Sequence, residues 1–150
     1  MFRAAAALVL AAAAPLAGCA PEKQLYISGA WVRLAAVDGR PAGAYFTIHG
    51  GPTDATLVSV RTDVAVRTEL HESMATTNGA MKMDAIRQVA IPALGQVRFA
   101  PGGKHAMLFD VNPAVKPGGT ITFVFTFADA TRIEKDAQVI AAGDPAPAAK

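Results

Sequence analysis

Met74, Met81, Met83 and Met107 share one stretch of the chain with His71 and His105, and the only other Met and His are Met1 and His49. Thioether sulfur and imidazole nitrogen suit a soft cation such as Cu(I), which binds them without an oxygen-rich shell. A methionine on its own usually fills a gap in a core, and a histidine on its own is usually hydrogen-bonded structure. Here the joint clustering points to a metal. The residues offer reversible coordination rather than catalysis, because Ser28, Ser59 and Ser73 come with no recognisable nucleophile-and-base motif.

The start of the chain indicates the compartment. Met1-Phe2-Arg3 is a short positive segment, Ala4 to Ala14 an apolar run, and Leu16-Ala17-Gly18-Cys19 closes it with small residues before a cysteine. This is the pattern of a secretory signal. The last four residues resemble the bacterial lipobox, which implies cleavage before Cys19 and lipidation of its sulfur. The apolar run is short for a membrane span. Lipidation consumes the only cysteine, so the mature domain has no disulfide and no thiolate ligand. Met and His suit an oxidising compartment in which free thiols pair or oxidise.

The expected organisation is a signal over 1–18, lipidated Cys19 with a tether to residue 24, a β domain over 25–142, and a flexible Pro/Ala tail over 143–150. The domain is long enough for one core and too short for two. Loss of Arg3 with the signal lowers the formal charge from +2 to +1, and no basic run marks a nucleic-acid partner.

These donors must be positioned by strands. Ile121, Phe123, Phe125 and Phe127 alternate through Thr120 to Phe127, the period-two signature of a half-buried strand. Similar runs occur at Leu25 to Arg33, Ala44 to His49, Thr56 to Arg61, Ala65 to Ser73, Met81 to Val89, Gln96 to Ala100, Lys104 to Val111 and Arg132 to Ala141. Gly, Pro, Asn or Asp separate most of them. The expected fold class is all-β, an antiparallel Greek-key sandwich or small barrel. Pro92 and Gly95 argue for a loop or wide turn over Val89 to Gly95.

Alternation puts His105, Met107 and Phe109 on one face, and Pro101-Gly102-Gly103 predicts a turn that leaves the first two near a sheet end. Ala75 to Gly79 reads as a hairpin connection. A five-residue loop there sets His71 opposite Met83, whereas a two-residue turn at Asn78-Gly79 sets Met74 opposite Met83. Either register gathers soft donors across one strand pair.

The order His71-Glu72, ten residues, Met83, twenty-one residues, His105-Ala106-Met107 is similar to the H(M)X10MX21HXM signature of the PCu(A)C family of periplasmic copper chaperones. Gly29-Ala-Trp-Val-Arg33, Ala44-Tyr-Phe46, Lys82-Met83 and Pro101-Gly-Gly103 resemble family sequences too. Glu72 departs from a position that is often Met. The resemblance implies a cupredoxin-like fold binding Cu(I) through His71, Met83, His105 and Met107. It also implies delivery to the copper centre of cytochrome c oxidase or to a partner chaperone. Such a neutral N2S2 set holds a monovalent cation without burying a negative charge, and its weak thioether bonds can exchange one at a time.

A blue-copper electron carrier is disfavoured, because it needs a Cys thiolate beside its histidines. A copper-sequestering or copper-tolerance lipoprotein would use the same ligands for storage. Met81 and Met74 are secondary candidates, His49 reads as a surface residue, and Trp31 and Arg33 read as core anchor and surface charge. The expected location is periplasmic and membrane-anchored, with Ala20 after the cysteine favouring the outer membrane.

Overall fold

The computed structural model describes residues 24–148, so the signal, the cleavage site and Cys19 lie outside the described residues. The strands are β1 (Tyr26–Arg33), β2 (Ala42–His49), β3 (Ala55–Arg61), β4 (Ala65–Ala75), β5 (Met81–Ile86), β6 (Val89–Ile91), β7 (Gln96–Phe99), β8 (Lys104–Val111), β9 (Thr120–Phe127) and β10 (Arg132–Ile140). No helix occurs among the described residues. The hydrogen-bonded order is β5-β4-β8-β2-β1-β10-β9-β3-β6, with β7 also on β2.

The all-β expectation holds, with one change to its antiparallel form. β1 and β10 run parallel, pairing Trp31 with Gln138 and Arg33 with Ile140. The expected run Met81 to Val89 also breaks. Its first part pairs with β4 and its continuation, Val89–Ile91, pairs with β3. Val89 and Ile91 are buried there, so apolar burial makes a short strand immediately before Pro92 where a loop was expected.

Period-two burial builds the core. Along β2, Ala42, Ala44, Phe46 and Ile48 are buried while Gly43, Tyr45, Thr47 and His49 are partly exposed. The expected inward face of β9, Ile121, Phe123, Phe125 and Phe127, is buried in full. Phe46 stacks on Phe99 at 4.3 Å between ring centroids and meets Phe125 edge-on at 4.8 Å. Such aromatic pairs add about 0.5–1.5 kcal/mol beyond the area they bury. Leu70, Ala106 and Leu108 extend this apolar layer beneath the β4/β8 part of the sheet.

Two irregularities set which side chains reach the outer face. In β1 the register against β2 shifts between Ser28 and Trp31, where Gly29 takes φ of 58°. Glycine adopts that left-handed conformation without a Cβ clash, as bulges often require. The extra residue reverses parity, so Ile27 and Val32 both enter the core while Trp31 and Arg33 join Tyr45 on the outer face. The second irregularity lies between β7 and β8. Both pair with β2 in the same sense, Phe99 opposite Phe46 and Met107 opposite Gly43. They form one strand line interrupted by an excursion at Ala100 to Gly103, closed by Ala100 N–H donating to the Lys104 carbonyl at 2.8 Å.

Candidate metal centre

β4 lies between β5 and β8 and carries the centre of the site. His71 stands directly opposite His105, and Glu69 opposite Met107. On the other side, Ser73 faces Met83, His71 faces Ala85 and Ala75 faces Met81. Paired residues share a face, so His71, Met83, His105 and Met107 all project from the outer side of the sheet, with Glu69 and Met81 among them. The core residues Leu70, Ala106 and Leu108 point the other way.

The hairpin register is a third one, intermediate between the two that the sequence left open. Thr76 closes the loop by donating its N–H to the Ala80 carbonyl at 2.7 Å and its hydroxyl to the same oxygen at 2.8 Å. Gly79 turns the chain at φ of 82°. The five-residue loop is therefore Thr76 to Ala80, one residue later than expected. Met83 consequently sits diagonal to His71, a separation of about 7–8 Å that a long side chain spans. Met74 pairs with Lys82 and faces the opposite way from the histidines.

The two imidazoles, with ring centroids 5.9 Å apart, are held by different nitrogens. His105 Nδ1–H donates to the Gly103 carbonyl at 2.9 Å, an acceptor supplied by the excursion before β8. This leaves the Nε2 lone pair free. His71 instead donates from Nε2 to Glu69 Oε2 at 3.0 Å. Its Nδ1 is buried and has no hydrogen-bond partner. A buried polar atom without a partner is costly, and a metal ion accepting its lone pair would satisfy it.

Exposure grades outward across the site. His105 is 7% exposed and the His71 side chain 14%, whereas Met83 is 52% and Met81 61% exposed. The expected shallow, turn-flanked location is thus split, with recessed imidazoles beside open thioethers on the edge strand β5. Among the described residues no group of three or more His, Cys, Asp or Glu side chains is placed to hold a metal. The thioethers of Met83 and Met107 project from the same face as the two imidazoles.

Several neighbours complete the surroundings. Tyr45 lies 6.5 Å from His105 between ring centroids and 4.3 Å from Trp31. Its hydroxyl reaches over Gly43, where an added Cβ would come within 2.7 Å of Oη. Burial pushes the Tyr45 phenol pKa up, with the Arg33 charge pulling partly back. Arg33 lies over Trp31 at 5.0 Å and donates to the Asp144 carbonyl at 3.0 Å. Ala146 to Ala148 line the same groove as Trp31.

Other sequence candidates fall elsewhere. Glu72, at the position of departure from the signature, faces away from His71 and accepts from Lys104 Nζ at 2.5 Å. His49 stacks on Tyr26 at 4.2 Å and pairs through Nε2 with the Ser28 hydroxyl at 2.7 Å, away from the methionines. Glu69 was overlooked. It bridges Arg67 at 2.6 Å and His71 at 3.0 Å, and its position two residues before His71 on a strand was the available signal.

Comparison with known proteins places this geometry in context. A match to the family described as "Putative lipoprotein LpqE-like" spans residues 25–139. The "Putative lipoprotein Lxx21020" of Leifsonia xyli subsp. xyli (strain CTCB07) is 32% identical over 119 residues, covering 77% of this chain and 70% of the relative. The copper-bound PCuAC domain from PmoF2 superposes with a TM-score of 0.65 at 21% identity, covering 81% of this chain and 97% of that domain. The solution structure of CuI-DR1885 from Deinococcus radiodurans gives a TM-score of 0.58 at 25% identity, covering 83% and 81%. The shared architecture is the cupredoxin-like β fold of PCuAC domains.

Proposed function

The chain belongs to the LpqE-like family, and from that premise we propose that it is a copper chaperone whose cargo is Cu(I), held by His71, Met83, His105 and Met107. The observation that carries the reading is the apposition of His71 and His105, each with one ring nitrogen free, on the face that also bears Met83 and Met107. The donor set fits the cargo, since two imidazoles and two thioethers are soft and neutral. The CuI-DR1885 and copper-bound PmoF2 structures, which share the fold, support copper as the metal.

The exposed thioethers favour delivery over storage. With Met83 half open on an edge strand, an incoming ligand can replace a thioether while the recessed histidines still hold the ion. The recipient we propose is the copper subunit of cytochrome c oxidase or a second copper chaperone. The names of the family and of the Leifsonia relative support a lipoprotein anchored through Cys19 on the extracytoplasmic side of a membrane.

The direct test is anaerobic Cu(I) titration of a soluble form beginning after Cys19, with X-ray absorption on the product. One Cu(I) per chain with sulfur and nitrogen neighbours is expected. A shell dominated by oxygen, or one without sulfur, would overturn the ligand assignment. Incubation with an apo oxidase copper domain should then move the metal, and retention by the donor at equal affinity would favour sequestration.

A further inference from the structure

Two residues before His71 on the same face of β4, Glu69 accepts from His71 Nε2–H through Oε2 and from Arg67 Nη1–H through Oε1. Arg67 is itself seated, its guanidinium 4.1 Å from the centroid of the Phe109 ring, directly across the β4–β8 ladder. The result is a relay of contacts, Phe109 to Arg67 to Glu69 to His71, ending at an imidazole whose other nitrogen is buried and unpartnered. Period-two geometry makes this possible, because Arg67, Glu69 and His71 are successive residues on one face of β4.

We propose that Glu69, held by Arg67, is a positioning residue that fixes the His71 tautomer and presents Nδ1, rather than Nε2, to the metal. The inference rests on the copper-chaperone reading and deepens it. Neutral imidazole carries one N–H, and whichever nitrogen bears it is unavailable to a cation. The carboxylate selects the Nε2–H form because only that form can donate to it, which leaves the Nδ1 lone pair for a metal. His105 uses the opposite selection, since its Nδ1–H is tied to Gly103 O and Nε2 is left for the metal.

The tautomers can be read in the copper-free protein by 15N NMR of the histidine rings, at a pH where both are neutral. The wild-type chain should show the proton on Nε2 of His71 and on Nδ1 of His105. Glu69→Leu should redistribute the His71 proton between the two nitrogens while His105 keeps its own, the latter serving as the check that the sheet is intact. Glu69→Gln, whose amide carbonyl accepts the same bond, should preserve the wild-type pattern. Cu(I) affinity should fall about ten- to a hundredfold in the Leu variant, the usual effect of losing such an outer partner, and recover in the Gln variant. A wild-type His71 protonated on Nδ1 overturns the assignment even if the Leu variant folds poorly, and so does an unchanged tautomer in that variant. Because the ring proton is read without metal, failure of copper binding with the expected tautomers would count against the chaperone reading alone.

Discussion

His71 and His105 face each other across the β4–β8 ladder, 5.9 Å apart between ring centroids, and hydrogen-bond through opposite nitrogens. Neighbouring strands thus supply two free imidazole lone pairs from one face without either ring occupying the other's donor. Met83 on the edge strand and Met107 on β8 flank the pair on that same face.

Substitution should separate the face from its surroundings. Replacing His105 with Ala or Met107 with Leu should weaken Cu(I) binding by at least about tenfold, the scale on which even outer partners of a metal site act. Met74→Leu and His49→Ala should change it little, because Met74 faces the other way and His49 is paired with Ser28. Competition titration against a Cu(I) chelator measures all four, and equal losses would mean that the site is misdrawn.

Transfer kinetics should reflect the graded exposure. With Met83 open and the imidazoles recessed, hand-off should proceed through a shared-ligand intermediate, and its rate should rise with acceptor concentration. Stopped-flow transfer to an apo acceptor checks this. A rate equal to spontaneous copper loss at every acceptor concentration would contradict it.

Two glycines should respond unequally to alanine. At Gly50 an added Cβ would meet the Pro92 carbonyl at 2.1 Å, a backbone obstruction in a loop that Gly50 N–H and Gly95 O tie together at 2.8 Å. Gly50→Ala should cost about 3 kcal/mol, toward the upper end of overpacking penalties. At Gly43 the obstacle is the Tyr45 hydroxyl, the end of a movable side chain. Gly43→Ala should cost much less stability and instead move Tyr45 away from its seat beside Met107's strand. Denaturant melts and tyrosine fluorescence distinguish the two effects.

The Tyr45 phenol gives an alkaline signature. Burial raises its pKa above the ordinary tyrosine value of about 10. A native value above the unfolded one means that the stability contribution is complete below the ordinary range and is lost as pH rises through the raised native value. Unfolding measured across that range should therefore show a decline in stability that Tyr45→Phe diminishes. An identical decline in the variant would place its origin elsewhere.

The β character of the chain was legible because alternation is a local property. Ile121 to Phe127 announced an inward face without reference to any partner strand, and the same rule placed His105 with Met107. Glu69 was legible by that rule too, but a carboxylate two residues from a histidine draws attention only when the site face is known. The break of Met81 to Ile91 into two strands was not legible. Nothing in that run states that its first half pairs with β4 and its second half with β3.

By itself the sequence determined the inventory, namely soft donors at fixed spacing, a thiol-free domain after Cys19, and strands whose period assigns each donor to a face relative to its own neighbours. Only the tertiary structure decided how those faces align. A strand's parity is local, but its partner, register and bulges depend on loop closure and on burial against distant residues. Thr76 closing onto Ala80 put Met83 diagonal to His71, the Gly29 bulge turned Trp31 outward, and the excursion at Ala100 to Gly103 supplied the carbonyl that frees His105 Nε2. The Gly29 bulge is a one-residue decision, and because side chains alternate with period two, a single residue is enough to move a side chain to the other side of the sheet.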